Sequence, residues 1–418
     1  MQSVKLNNHS QPHHDQSHLS QSQGWADSDS PTAKRRLVDY RWLVRRPANT
    51  TRVVFVRHGR STYNDQQRFQ GCSDRSVLTQ QGRETASMTG RALRGIPFEN
   101  GYTSPLQRSK QTALAIQMEL EPGLKFADCS QLLEVNLPTW EGKTYTSVKT
   151  ELAGLYQHWM TSPQDFSLSL NGGSELQSKR SKLRRRSFPL QDLYGQASDF
   201  WNHIRSHHSG ELLLAVAHAG SIRAAISTAI GLSPQYYHQL QQSNCGISVV
   251  DVTWENTILR GWSHGINQTG HLAETLPKLK HGKTGLRVIA IPSHSDRVEK
   301  LCLWLAKVPI QHCWADETPS SRSLAKRLCP NMSPTTCSSL GNWSTILHHA
   351  LSMQKVGIAT AVLITNPNTL TTLIRAGLNT TDWPSLGTAS FAANTATVLH
   401  FANRDRPPVL QSLNFIPR

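Results

Sequence analysis

Acidic residues are scarce in this chain. Its 418 residues carry 28 Asp and Glu against 44 Lys and Arg, a formal net charge of +16. No zinc-ligand spacing, no nucleic-acid module and no basic stripe interleaved with aromatics accompanies that charge. A specific nucleic-acid partner is therefore not expected, and loose binding to polyanions is the lesser alternative. The seven cysteines (Cys72, Cys129, Cys245, Cys302, Cys313, Cys329, Cys337) are odd in number and form no Cys-x-x-Cys pair. That argues against a disulfide frame and for a reducing, cytoplasmic compartment. No apolar run is long enough to cross a bilayer, so no membrane partner is expected. The first half of the chain offers no carboxylate cluster that would hold Mg²⁺, so neither metal nor cofactor is expected.

Apolar residues are also few at the start. Residues 1–47 are dominated by Gln, Ser, His and Asn, with hardly an apolar side chain before Trp25. Such a segment cannot bury a core and reads as a disordered polar tail. It lacks the apolar centre of a signal peptide. Its His9, His13, His14 and His18 read as low complexity rather than as a metal site.

What is present is concentrated in four segments. Val53 to Val56 reads as a buried strand ending on Arg57-His58-Gly59, followed by Arg60-Ser61-Thr62-Tyr63-Asn64. A cation and an imidazole at a strand's C-terminal end suit a phosphate ester, because ligands of open α/β sheets bind there. Alone, the tripeptide is equally a strand with a basic turn. Thr103 to Ala113 follows, with Ser104 expected as N-cap, Pro105 as first helical residue and Arg108 in the first turn. Leu213 to Ser221 repeats the first grammar, with His218 at a strand end, then Ala219-Gly220 and a helix expected to stop at Gly231. Finally, Leu132-Leu133-Glu134 precedes Trp140-Glu141-Gly142 and places a carboxylate on a loop.

In this order the four segments resemble the histidine phosphatase superfamily, the phosphoglycerate mutase-like fold. Asn267 to Leu272 resembles its closing segment. The resemblance implies that His58 is the nucleophile that takes the phosphoryl group. It implies that Arg57, Arg108 and His218 hold the phosphoryl oxygens, with Asn64 and Ala219 assisting. It implies that Glu134 protonates the leaving alkoxide and later deprotonates water. Phosphoryl transfer is mostly positioning and charge stabilisation, which two guanidiniums and a second His can supply. Neighbouring cations should depress the pKa of His58, and burial should favour protonated Glu134. Two features depart from the family. Arg60 stands where relatives often carry Glu. The basic run Lys179 to Arg186 follows Gly172-Gly173-Ser174-Glu175 and reads either as a solvated loop or as a lid that attracts anions.

A second, weaker echo lies downstream. Arg287 to His294 aligns with the first strand, putting Pro292 on Arg57 and Ser293 on His58. Glu317 to Ser323 aligns with the Ser-Pro segment, putting Arg322 on Arg108. Ala361 to Asn368 aligns with the His218 strand, putting Asn366 on that His.

The expected fold class is α/β, with two phosphoglycerate mutase-like three-layer α/β/α domains, the second shortened and degenerate. The expected division is a tail at 1–47, a catalytic domain at 48–274, a linker at 275–284 and the degenerate copy at 285–418. The live-plus-degenerate arrangement resembles cyanobacterial and plastid-type members of the superfamily. It implies a phosphomonoesterase acting on a small phosphorylated metabolite, with sugar and sugar-acid phosphates as candidates. Phosphoglycerate mutase-type transfer and noncatalytic binding of a phospholigand are the alternatives. The sequence does not indicate an oligomeric state.

Overall fold

The computed structural model describes residues 38–169, 186–272, 274–279, 282, 284–336, 351–352, 357–378, 383, 386, 390–403 and 407–418. The basic run, apart from Arg186, lies outside them. Within them, twelve strands form one continuous sheet whose order is written twice. The strands β1 (Thr51–Arg57), β2 (Asn100–Thr103), β3 (Phe126–Asp128), β4 (Leu212–Ala217), β5 (Ile247–Glu255) and β6 (Ile258–Gln268) lie as β3-β2-β4-β1-β5-β6. The strands β7 (Gly285–Pro292), β8 (His312–Ala315), β9 (Thr335–Thr336), β10 (Ile358–Thr365), β11 (Ala396–Phe401) and β12 (Val409–Phe415) lie as β9-β8-β10-β7-β11-β12.

Pairing repeats with the order. β1 runs parallel to β4 and antiparallel to β5. β7 runs parallel to β10 and antiparallel to β11. Arg57 faces Ala217, and Pro292 faces Thr365. One residue on, His58 N donates to Ala217 O at 2.8 Å, and Ser293 N donates to Thr365 O at 2.9 Å. The second half is thus a shortened copy of the first, and Ser293 stands at the position of His58.

Burial explains why β1 and β4 read as unbroken apolar runs. Central parallel strands are covered on both faces. Val54 and Val56 pack with Ala86 of α2 (Gln80–Ala92) and with Ala113 and Ile116 of α3 (Gln107–Gln117). Val53 and Phe55 pack oppositely, with Trp201 and Ile204 of α6 (Pro189–His207) and Ile222 and Ile226 of α7 (Ala219–Ile230). That second core continues into the other half, through Val288, Ala290 and Leu363 to Leu370 and Ile374 of α10 (Pro367–Gly377). Ile289, Ile291 and Val362 turn the other way, onto α8 (Val298–Leu305) and α9 (Pro319–Leu328).

The halves meet where β6 pairs antiparallel with β12. The junction is nearly two-fold. Asn267 Nδ2 donates to Gln411 O at 2.6 Å, and Asn414 Nδ2 donates to His264 O at 2.9 Å. Both asparagines have φ of 54°, a left-handed conformation that Asn tolerates better than most residues.

One boundary drawn from composition needs correction. Residues 38–47, counted with the tail, are part of the core: Val38, Tyr40 and Leu43 are buried. Arg52 explains why. Its Nη1 donates to the carbonyls of Leu43 and Arg45, while Nε and Nη2 fork onto Asp251 at 2.6 and 2.7 Å. The described part of the 275–284 linker is also tied down. Trp304 Nε1 donates to Thr275 O, Arg287 Nη2 to Pro277 O, and Gln241 and Gln411 both donate to Lys278 O.

Candidate active site

β1 and β4 end side by side, so the residues after them are neighbours although 160 positions separate them in the sequence. The ring centroids of His58 and His218 lie 5.1 Å apart. His58 Nδ1 donates to Gly59 O at 2.8 Å. A carbonyl only accepts, so the proton is on Nδ1 and the lone pair on Nε2. The turn that carries His58 is braced from three sides. Gly59 N donates to Thr112 Oγ1 at 2.9 Å. Asn244 Nδ2 donates to His58 O at 2.9 Å. The start of α2 passes so close that a Cβ on Gly59 would lie 2.6 Å from Gly82 O.

Arg108 is the second residue of α3 and is fully buried. Its Nη1 donates to Ser73 O and its Nη2 to Gly71 O, both at 2.8 Å. The loop that supplies those carbonyls is pinned by Glu141, whose Oε1 accepts from Cys72 N at 2.6 Å. Arg57 Nη1 donates to Gln242 O at 2.9 Å. Burial lowers the pKa of both guanidiniums, opposed by the Glu134 charge. His218 Nε2 lies 2.8 Å from Ser104 Oγ and 3.3 Å from Ser109 Oγ. Burial, reinforced by Arg108, His58 and Arg57, holds its pKa well below the usual histidine value, so the ring is neutral. Arg57 Nε, Arg108 Nε and His218 Nδ1 are buried without a hydrogen-bond partner among the described residues. Buried polar groups are costly unless paired, and an anion is the ligand that suits this set.

Glu134 follows a short 3₁₀ turn, Ser130–Leu132. Its Oε1 accepts from Val135 N at 2.9 Å, and its Oε2 from Gly220 N at 3.2 Å. Helix α7 starts at Ala219 with His218 as N-cap and ends at Ile230, capped by Gly231, where φ is 74°. Ala219 and Asn64 both line the cleft above the site. Asn64 Oδ1 is occupied by Ser61 N and Asn244 Nδ2, so only its amide nitrogen remains for a ligand. One local expectation fails: Ser104 does not cap α3, which starts at Gln107 without a side-chain cap. Its hydroxyl is spent on His218 instead.

The cleft has a volume of about 890 Å³. Sequence reasoning missed several of its residues. Arg223 and Tyr237 line it, and Asn244 braces the His58 turn. Arg223 was legible as the i+4 neighbour of Ala219 on one helix face. Asn244 and Tyr237 carry no such pattern.

The second half shows what the degenerate copy lost. Asp316 N donates to Ile364 O at 3.2 Å, as Ser104 N does to Val216 O at 2.9 Å, so Asp316 takes the place of Ser104. Asn366 is the N-cap of α10, as His218 is of α7. The alignment of Arg322 with Arg108 is wrong. Counted from the start of α9, the counterpart of Arg108 is Ser320, and Arg322 points into solvent two residues later. Asp316 Oδ2 accepts from Thr365 Oγ1 at 2.8 Å and Asn366 N at 3.0 Å. Burial alone would raise its pKa, but bonds from Thr318, Ser321 and Thr365 outweigh burial and hold it at about 2. Among the described residues no guanidinium pairs with Asp316, and a carboxylate so placed repels phosphate.

Among the described residues, no group of three or more His, Cys, Asp or Glu is placed to hold a metal ion. No helix among them is long and apolar enough to cross a membrane. The six described cysteines are free thiols.

A probable 2-carboxy-D-arabinitol-1-phosphatase of Arabidopsis thaliana is 35% identical over 202 residues, which cover 48% of this chain and 38% of that protein. A putative phosphoserine phosphatase 2 of Hydrogenobacter thermophilus is 28% identical over 50% of this chain and 93% of its own length. A mycobacterial glucosyl-3-phosphoglycerate phosphatase structure aligns over 51% of this chain and 97% of its own, with a TM-score of 0.43 and 20% identity. This chain therefore spans under two fifths of the plant relative. Residues 53–264 match the family model, and the chain belongs to the histidine phosphatase superfamily (branch 1).

Proposed function

We propose that this protein hydrolyses phosphate monoesters of small metabolites through a phosphohistidine at His58. The observation that carries the reading is the set of buried, unpaired donors on Arg57, Arg108 and His218 beside the Nε2 lone pair of His58. Nε2 attacks phosphorus, and the bond to the ester oxygen breaks. That oxygen keeps the electron pair and takes a proton from Glu134. Water then attacks phosphorus and gives its proton to the Glu134 carboxylate. The P–N bond electrons return to Nε2 and inorganic phosphate leaves.

Arg57, Arg108, Asn64 and the backbone at Ala219 hold the transferred oxygens in this scheme. With Ser104 Oγ donating to Nε2, the neutral His218 keeps its proton on Nδ1 for a phosphoryl oxygen. Such fixed donors, in a site that excludes water, stabilise developing charge without reorganising.

In this reading residues 38–274 are the catalytic domain, 285–418 are a noncatalytic companion, and the free thiols suit a cytoplasmic location. Relatives named for a carboxyarabinitol phosphate make a phosphorylated sugar acid the first substrate to try. The test is brief incubation with phosphoryl-labelled substrate and an alkaline quench. An acid-labile, base-stable label is expected, absent from His58→Ala together with turnover. Substantial activity in that variant overturns the assignment.

A further inference from the structure

Arg223 is among the cations of the cleft that the phosphatase scheme leaves without a task. Arg223 lies four residues after Ala219 and three after Gly220, so α7 presents all three on one face, and all three line the cleft. Its guanidinium carbon sits 5.2 Å from the centre of the Tyr237 ring. Its Nε is buried and has no hydrogen-bond partner among the described residues. Tyr237 links this cation to the proposed proton donor. A Cβ on Gly220 would lie 1.9 Å from Glu134 Oε1 and 2.6 Å from the Tyr237 hydroxyl, so those two oxygens flank one point.

Charge balance narrows the choice to two cations. The other cations at the rim are largely matched: Arg60 pairs with Asp65, and Lys278 pairs with Glu274 at 3.0 Å. Arg57 and Glu134 belong to the phosphate site. Arg223 and Lys149 line the cleft without an acidic partner among the described residues. Arg223 is the better placed of the two, because its contact with a buried tyrosine holds the guanidinium in place before a ligand arrives. A fixed guanidinium offers a two-pronged donor that matches a carboxylate. Three residues of helix put its Cα about 4.5 Å beyond that of Gly220 along the axis. A group bound there belongs to the leaving alcohol, a few bonds from the ester oxygen.

We propose that Arg223 reads a carboxylate on the leaving alcohol, so that the substrate is the phosphate ester of a hydroxy acid rather than of a neutral polyol. The inference rests on the phosphatase reading. 3-Phosphoglycerate and glycerol 3-phosphate differ only in a carboxylate against a hydroxymethyl group. The full-length protein should favour the first. In Arg223→Gln the ratio of their kcat/KM values should fall roughly 10- to 100-fold, the range for losing a charge-assisted hydrogen bond. Arg223→Lys, which keeps the charge but not the fork, should show a smaller fall, and it serves as the test if the Gln variant does not fold. A preference that survives both substitutions, or no preference in the unaltered protein, overturns the proposal. Hydrolysis of p-nitrophenyl phosphate by the unaltered protein separates the two levels. If that ester is not cleaved, the phosphatase reading fails, and this inference fails with it.

Discussion

Gly220→Ala tests the placement of the proposed proton donor, Glu134. Gly220 is the second residue of α7, and its backbone conformation is open to any residue. Alanine is the better helix former by about 1 kcal/mol, so the helix itself has no objection. The objection comes first from Glu134, and second from the Tyr237 hydroxyl, which the same Cβ would meet at 2.6 Å. An added Cβ would stand 1.9 Å from Oε1, whereas ordinary contact begins at 3.4 Å. The carboxylate must therefore retreat by about 1.5 Å, and a misplacement of about 1 Å can cost about 10²-fold in rate. Full loss of general acid–base help would cost about 10²–10⁴. Steady-state turnover of an alkyl phosphate should fall within those limits. Turnover of p-nitrophenyl phosphate, whose leaving group scarcely needs a proton, should fall much less. The melting temperature should change little, because the gain in helix propensity offsets part of the local rearrangement. Alkyl phosphate turnover equal to that of the unaltered protein would refute the reasoning, since a carboxylate so easily displaced could not be the proton donor.

Further outcomes follow from the same geometry. Glu134→Gln should slow alkyl phosphate hydrolysis by about 10²–10⁴ and p-nitrophenyl phosphate hydrolysis less; equal losses would mean that another group donates the proton. Burial lowers the pKa of His271 to about 3, so between there and about 6.5 the unfolded chain binds a proton that the folded chain refuses. Stability is then complete above about pH 6.5 and falls as pH drops, by up to about 1.4 kcal/mol per unit from this residue. The difference in melting temperature between pH 7.5 and 5 should shrink in His271→Gln, and an unchanged difference would count against the assignment. Asn366 Oδ1 accepts from Thr369 N at 3.0 Å as a helix cap. Asn366→Ala should cost about 1 kcal/mol of stability in denaturant titrations yet leave phosphate release intact; a tenfold loss of turnover would give the second half a catalytic part.

Strand-end motifs were legible because they are local. An apolar run that ends on Arg57-His58-Gly59, and another that ends on His218-Ala219-Gly220, state both the buried strand and its chemical tip within ten residues. Glu134 was legible only through its neighbours in a known order. The duplication was also visible, because strand patterning survives the loss of the strand-end histidines. Helix starts were less reliable. Ser104 has the chemistry of an N-cap, yet tertiary contact gives its hydroxyl to His218. Arg322 looked like a counterpart of Arg108 until the true start of α9 set the count.

The sequence by itself determined the family grammar, the two strand-end histidines and the existence of a second copy. Each of these is encoded by residue type and short spacing. Only the tertiary structure decided which ends of the chain belong to the core, because Arg52 and Asp251 gather Leu43 and Arg45 from outside any periodic pattern. Only the structure placed Arg223 and Tyr237 around Glu134, since three separate segments meet there. It also fused the two sheets along β6 and β12. An edge strand's partner is chosen by unpaired backbone groups and by shape, and neither is written in the order of side chains.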